Sequence, residues 1–118
     1  MTTEELKERT KKMALEVIRL TSSLPRNREV DVLAKQLVRS ATSVGANYRS
    51  ACRARSKADF INKIDIVEEE ADDSLYWLEL FTESKIIKFD KVQPLMNEMK
   101  ELLAIFTASG RTAKFGKK

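Results

Sequence analysis

LVRSATSVGANYRSACRARSKADFINKIDIVEEEADDSLYWLEL, residues 37–80, carries the pattern that decides the fold. Apolar or small residues fall at Leu37, Ala41, Val44, Tyr48 and Ala51, then, after a polar break, at Phe60, Ile64, Val67, Ala71, Leu75 and Leu78. Steps of three and four place each series on one face of an α-helix. Between them, Ser56 followed by Asp59 predicts a helix N-cap, with the acidic residue near the positive end of the helix dipole. The stretch therefore predicts two long helices joined by a tight turn.

Working outward, Val30 and Leu33 extend the first series backwards, giving a helix over 28–55, and Phe81 extends the second, giving one over 57–84. Upstream, Leu6, Thr10, Met13, Val17, Leu20 and Leu24 share one face of a helix over 3–24, which Pro25 ends. Downstream, Val92, Leu95, Met96, Met99, Leu102, Leu103 and Phe106 predict a fourth over 91–109. Asp90 with Gln93 reads as its capping box, and Gly110 as the left-handed residue after its end. Short loops between long helices make neighbours antiparallel, so the fold class is all-α: an up-down-up-down four-helix bundle over 1–110, followed by a flexible basic tail over 111–118. Gly45, inside the second helix, predicts a close backbone approach.

The 118 residues contain no His, one Cys and three Gly. Without His there is no Ser-His-Asp triad, no His-based zinc site and no Glu-x-x-His di-iron motif. Three scattered glycines build no Gly-rich phosphate loop, and Cys52 has no activating base, so it reads as a small buried apolar residue. The expectation is a protein that is not an enzyme and uses no cofactor. Glu68 with Asp72, and Glu69 with Asp73, lie one turn apart, but such pairs ordinarily face Arg or water, and no metal is expected. No apolar run approaches the ~20 residues of a membrane span, and the polar start lacks the features of a secretory or transit signal. A lone Cys fits a reducing cytoplasm.

Charge is divided along the chain. Residues 1–110 balance 18 basic against 18 acidic side chains, so the net charge of +4 comes from Arg111, Lys114, Lys117 and Lys118. From Lys35 to Lys63 there are seven basic residues and only Asp59; from Asp65 to Glu83 there are eight acidic residues and no basic one. Facing positions in the hairpin set Arg39 beside Asp72 and Asp73 and Arg49 near Lys63. The unmatched charge either pairs between subunits or forms solvated faces. Around Tyr76, Trp77 and Leu80 the third helix is apolar beyond its core stripe, which reads as an oligomer interface or as a broad core taking in Trp77. Arg49, Arg53, Arg55 and Lys57, at a helix end beside a turn, suit phosphate; Tyr48 is placed to stack on a base, and the basic tail is a second contact. The same cations would also favour the negative end of a helix dipole.

Residues 37–80, with LPRNREVDVLAKQ at 24–36, resemble the 23S ribosomal RNA intervening-sequence protein family. SVGANYR and EEEAD carry the resemblance, which spans about Leu15 to Phe106. It implies a bacterial four-helix bundle assembling as a homopentameric ring, with no catalytic residues to carry over. More distantly the chain is similar to the accessory variability determinant of diversity-generating retroelements, a basic pentameric barrel working with nucleic acid. The expectation is an oligomeric helical scaffold that binds RNA or DNA weakly; the alternative is an adaptor for another protein with no nucleic-acid role.

Overall fold

In a computed structural model, which describes residues 1–116, four helices follow one another: α1 (Thr3–Ser22), α2 (Arg28–Ala51), α3 (Lys57–Glu83) and α4 (Phe89–Phe115). No strand occurs among the described residues, and the molecule measures 50 × 22 × 20 Å. Cross-helix contacts fix an antiparallel order. Gly45 faces Thr10, Ser40 meets Ser74 at 2.8 Å, and Thr107 donates to Glu68 at 2.9 Å. Arg9 closes α1 onto α4 through Glu98 and Glu101.

The predicted stripes form the core. Val17, Leu37, Val44, Ile64, Leu78, Phe81, Met99 and Phe106 are almost wholly removed from water. Three polar side chains, Thr10, Ser40 and Ser74, lie within this apolar layer. Ser40 and Ser74 satisfy each other and the carbonyls of Leu37 and Glu70, which lets α2 and α3 approach on small side chains. Thr10 bonds back to Leu6 and Lys7, and a Cβ on Gly45 would come within 3.1 Å of its Oγ1. The close approach expected at Gly45 is therefore between α1 and α2.

Helix ends follow local chemistry. Thr2 and Glu5 form a capping box on α1, Asn27 caps α2, and Ser56 caps α3 by accepting from the Asp59 amide at 3.0 Å. α2 stops at Ala51, short of 55, where the amides of Arg53 and Ala54 turn back to Ser50 and Ala51. α3 closes on Lys85, whose φ of 66° is the left-handed conformation usually left to glycine. The Ile86 and Ile87 amides then both reach Phe81, which seats Ile87 in the core.

The fourth helix departs from expectation at both ends. It starts at Phe89 after Lys88, with no side-chain cap, so Asp90 and Gln93 form no capping box; Pro94 sits inside the helix. At the other end Gly110 does not stop it. Gly110 is buried and helical, and a Cβ there would meet Glu68 Oε1 at 3.0 Å and Ile64 Cγ2 at 3.2 Å. Its small size lets α4 lie close on α3. Residues 111–115, expected in a flexible tail, continue the helix, tied down by Lys114 to Asp65 at 2.9 Å.

The α1–α4 seam, the more lightly packed one, leans on its charges. Arg9 reaches Glu98 with two nitrogens, at 2.8 and 2.7 Å, and also contacts Glu101. Its hydrogen bond holds the Glu98 carboxyl below the usual carboxylate range and raises the guanidinium in turn. A carboxylate with a depressed folded pKa stabilises the fold above its unfolded pKa and loses that contribution as pH falls through the folded value. Arg9→Ala is expected to cost about 1 kcal/mol at pH 7, and the gap to wild type should narrow at an acid pH below the ordinary carboxylate range. Urea unfolding at the two pH values checks this.

Candidate nucleic-acid interface

The up-down order brings four chain segments to one end of the molecule: the start of α1, the end of α2 with its turn, the start of α3 and the end of α4. Arg49, Arg53, Arg55 and Lys57 come from the α2–α3 turn, and Arg111 and Lys114 from the last turns of α4. Residues distant in sequence thus form one basic pole. Lys117 and Lys118 lie outside the described residues.

Arg49, Arg53, Arg55, Lys57 and Arg111 are exposed, and no described residue forms an ion pair with them. Lys114 differs, being engaged by Asp65. Between the helices lies a groove of about 950 Å³ lined by Lys7, Arg49, Ser50, Arg53, Arg55 and Lys63 among others. Arg49 and Lys63 share it, as their facing positions predicted. Lys7 and Lys63 escape sequence reasoning because neither lies in the Arg-rich run; only antiparallel packing brings them there. Asp59 also lines the groove. It accepts from the Arg55 amide at 3.2 Å and sits 3.8 Å from Lys63. The pole therefore keeps a surplus of uncompensated guanidinium groups.

Tyr48 does not belong to this surface. Its ring is buried against Phe106, with centroids 5.1 Å apart, so it offers no face to a base. Burial, and then its contact with Cys52, pushes its hydroxyl up to about 12. Spacing alone placed Tyr48 on the α2 stripe; its partner on α4 decides that it serves the core. Cys52 is half-buried against that core.

The acidic helix divides its carboxylates. Arg39 forms its ion pair with Glu70, at 3.1 and 3.2 Å, and not with Asp72 or Asp73; the facing register holds, with Ser40 opposite Ser74, and the long guanidinium side chain reaches along α3 to a carboxylate about one turn away. Glu68 turns to Thr107, Glu70 also accepts from Ser43, and Glu69, Asp72 and Asp73 point to water. Among the described residues no group of three His, Cys, Asp or Glu side chains is placed to hold a metal ion. Tyr76 is exposed, whereas Trp77 and Leu80 are half-buried. The Trp77 Nε1–H is buried with no acceptor among the described residues, and its ring meets Tyr76 edge to face at 5.1 Å. Exposed apolar side chains also occur at Leu15 and Ile18 of α1, Val32 of α2 and Ile66 of α3. Among the described residues no helix is long and apolar enough to cross a membrane.

Fold and surface define a small four-helix-bundle protein with one basic end and one acidic helix. A family model described as 23S rRNA-intervening sequence protein matches residues 3–108, and the chain belongs to that family. A solved structure from Bacteroides thetaiotaomicron, of a protein with unknown function from the S23 ribosomal protein family, is similar at 33% identity and a TM-score of 0.87. The likeness covers 95% of this chain and 100% of that one. No curated protein matches the chain.

Proposed function

We propose that the protein is a non-enzymatic helical scaffold whose basic pole binds the phosphates of RNA or DNA weakly. One observation carries the reading: Arg49, Arg53, Arg55, Lys57 and Arg111, from two separate segments, converge at one end without ion-pair partners among the described residues. Retaining unpaired guanidinium groups together brings repulsion that an anionic ligand relieves, and guanidinium forks suit phosphate. The family's name, which ties it to 23S rRNA intervening sequences, agrees with such a ligand.

Assembly into a homo-oligomeric ring is part of the proposal. The acidic outer face of α3, with Tyr76 and Ile66 exposed among carboxylates, and the Leu15 and Ile18 patch of α1 beside Arg19 are complementary surfaces on opposite sides of one bundle. A contact of this kind between unlike faces closes into a ring when its rotation allows. The resemblance to the pentameric retroelement determinant supports the same arrangement. If α3 instead receives a different protein, the adaptor reading applies.

The test is a binding isotherm for labelled RNA and DNA at two salt concentrations, with light scattering on the same sample. Expected are micromolar or weaker binding that falls steeply with salt, with a log–log slope of about −3 to −5 from four or five phosphate contacts, and a particle larger than one chain. Absence of binding at low salt would sink the nucleic-acid reading. A monomer at micromolar concentration would sink the ring.

A further inference from the structure

We infer that the ligand of the basic pole is the phosphate backbone of a nucleic-acid duplex, held without regard to base sequence. The inference rests on the nucleic-acid reading above and narrows it. The pole's groove runs without a break into a second one, of about 490 Å³, between α1 and α2; the two share Lys7, Ala46 and Arg49. Together they have two basic lips. Lys7 and Lys11 stand one turn apart on α1, a rise of about 6 Å, and across from them Arg49 lies in the last turn of α2 and Arg53 in the turn that follows it. The floor between them is made of Thr10, Gly45 and Ala46.

What lines these grooves excludes two modes of recognition. Binding of single strands without sequence preference relies on aromatic platforms for the bases. No aromatic residue lines either groove, and Tyr48, the aromatic residue of α2, is turned into the core. Reading of sequence uses amide side chains as well as guanidinium groups on base edges. No Asn or Gln lines either groove, and Asn47 spends its amide on Ser43. The donors left are ammonium, guanidinium and hydroxyl groups; with no amide beside them to read adenine, phosphate is the partner common to all of them.

Geometry then favours two strands over one. The axes of packed helices lie about 8–10 Å apart, so the two lips set cations side by side on the scale of the ~6–12 Å widths of duplex grooves. Lips on helices are rigid and suit a ligand whose phosphates are already fixed in space. Glu4 and Glu8 also lie on the α1 lip, and Glu4 is held by Lys7 at 3.3 Å. They set a limit on affinity and leave the α2 lip, with Arg49 and Arg53, as the stronger of the two.

The experiment is fluorescence anisotropy on the full chain at low salt. The probes are RNA and DNA duplexes of about 20 base pairs in two unrelated sequences, and oligouridine and oligothymidine of equal length. Expected is duplex binding at least about tenfold tighter than either homopolymer, with the two sequences of each duplex agreeing within about twofold. Preference for the RNA or the DNA duplex identifies the source and supports the inference either way. Homopolymer binding as tight as duplex binding, or a tenfold spread between sequences, overturns it while leaving the nucleic-acid reading intact. No binding to any probe overturns both. Lys11→Ala is expected to weaken duplex binding severalfold; an unchanged isotherm would remove the second groove from the site.

Discussion

Replacing Phe106 by alanine is expected to lower the free energy of unfolding by about 3–5 kcal/mol, a large fraction of the roughly 5–15 kcal/mol that holds a domain folded. Phe106 has no exposed surface and stands near the basic pole, its ring against Tyr48. Truncation removes that aromatic contact and opens a cavity between α2 and α4, next to a lightly packed α1–α4 seam that cannot easily collapse to fill it. Tyr48 would be loosened as well. Its hydroxyl, now pushed up to about 12, should titrate nearer its ordinary value of about 10 once water enters. Urea unfolding followed by Trp77 fluorescence gives the first quantity, and the absorbance of tyrosinate against pH gives the second. A loss under about 1.5 kcal/mol would mean that Phe106 does not fill the core as described.

The helices were legible because their stripes are regular and their starts chemically marked. Ser56 with Asp59 could be read as a cap because a side-chain oxygen and an amide three residues on satisfy each other locally. The end of α4 could not. Gly110 carries the residue type of a helix stop, yet it serves close packing against Ile64 and Glu68, and only the neighbouring helix distinguishes the two uses. Tyr48 failed for the same reason, since its role depends on Phe106, 58 positions away. Arg39 failed through reach, because a long guanidinium side chain can choose among carboxylates a turn apart on the facing helix, and register alone does not say which it takes. The basic cluster lies together because its residues share one turn of the chain, whereas Lys7 and Lys11 come beside it through packing that no local pattern announces.

Neutralising the pole should separate binding from folding. The triple variant Arg49→Gln, Arg53→Gln, Arg55→Gln is expected to weaken nucleic-acid binding by about a hundredfold at low salt, at roughly 1 kcal/mol or more for each charged contact. It should also reduce the salt slope by about 2.7, three phosphates at 0.9 each. All three side chains are exposed and make no hydrogen bond through their guanidinium groups among the described residues, so the unfolding midpoint should move little. Only Arg49, in the last turn of α2, would forfeit a favourable interaction with the helix dipole, of about 0.3–1 kcal/mol. A matched control neutralises Lys88 and Lys91, at the far end of a molecule 50 Å long, and should leave the isotherm within about twofold of wild type. Lys114→Gln should fall between the two, because Asp65 already holds that ammonium and must release it to a phosphate. If the far-end control weakens binding as much as the pole variant does, attraction is set by overall charge and no pole-specific site exists. If the pole variant loses affinity while the slope stays constant, its arginines do not meet phosphates, and the anion they hold is of another kind.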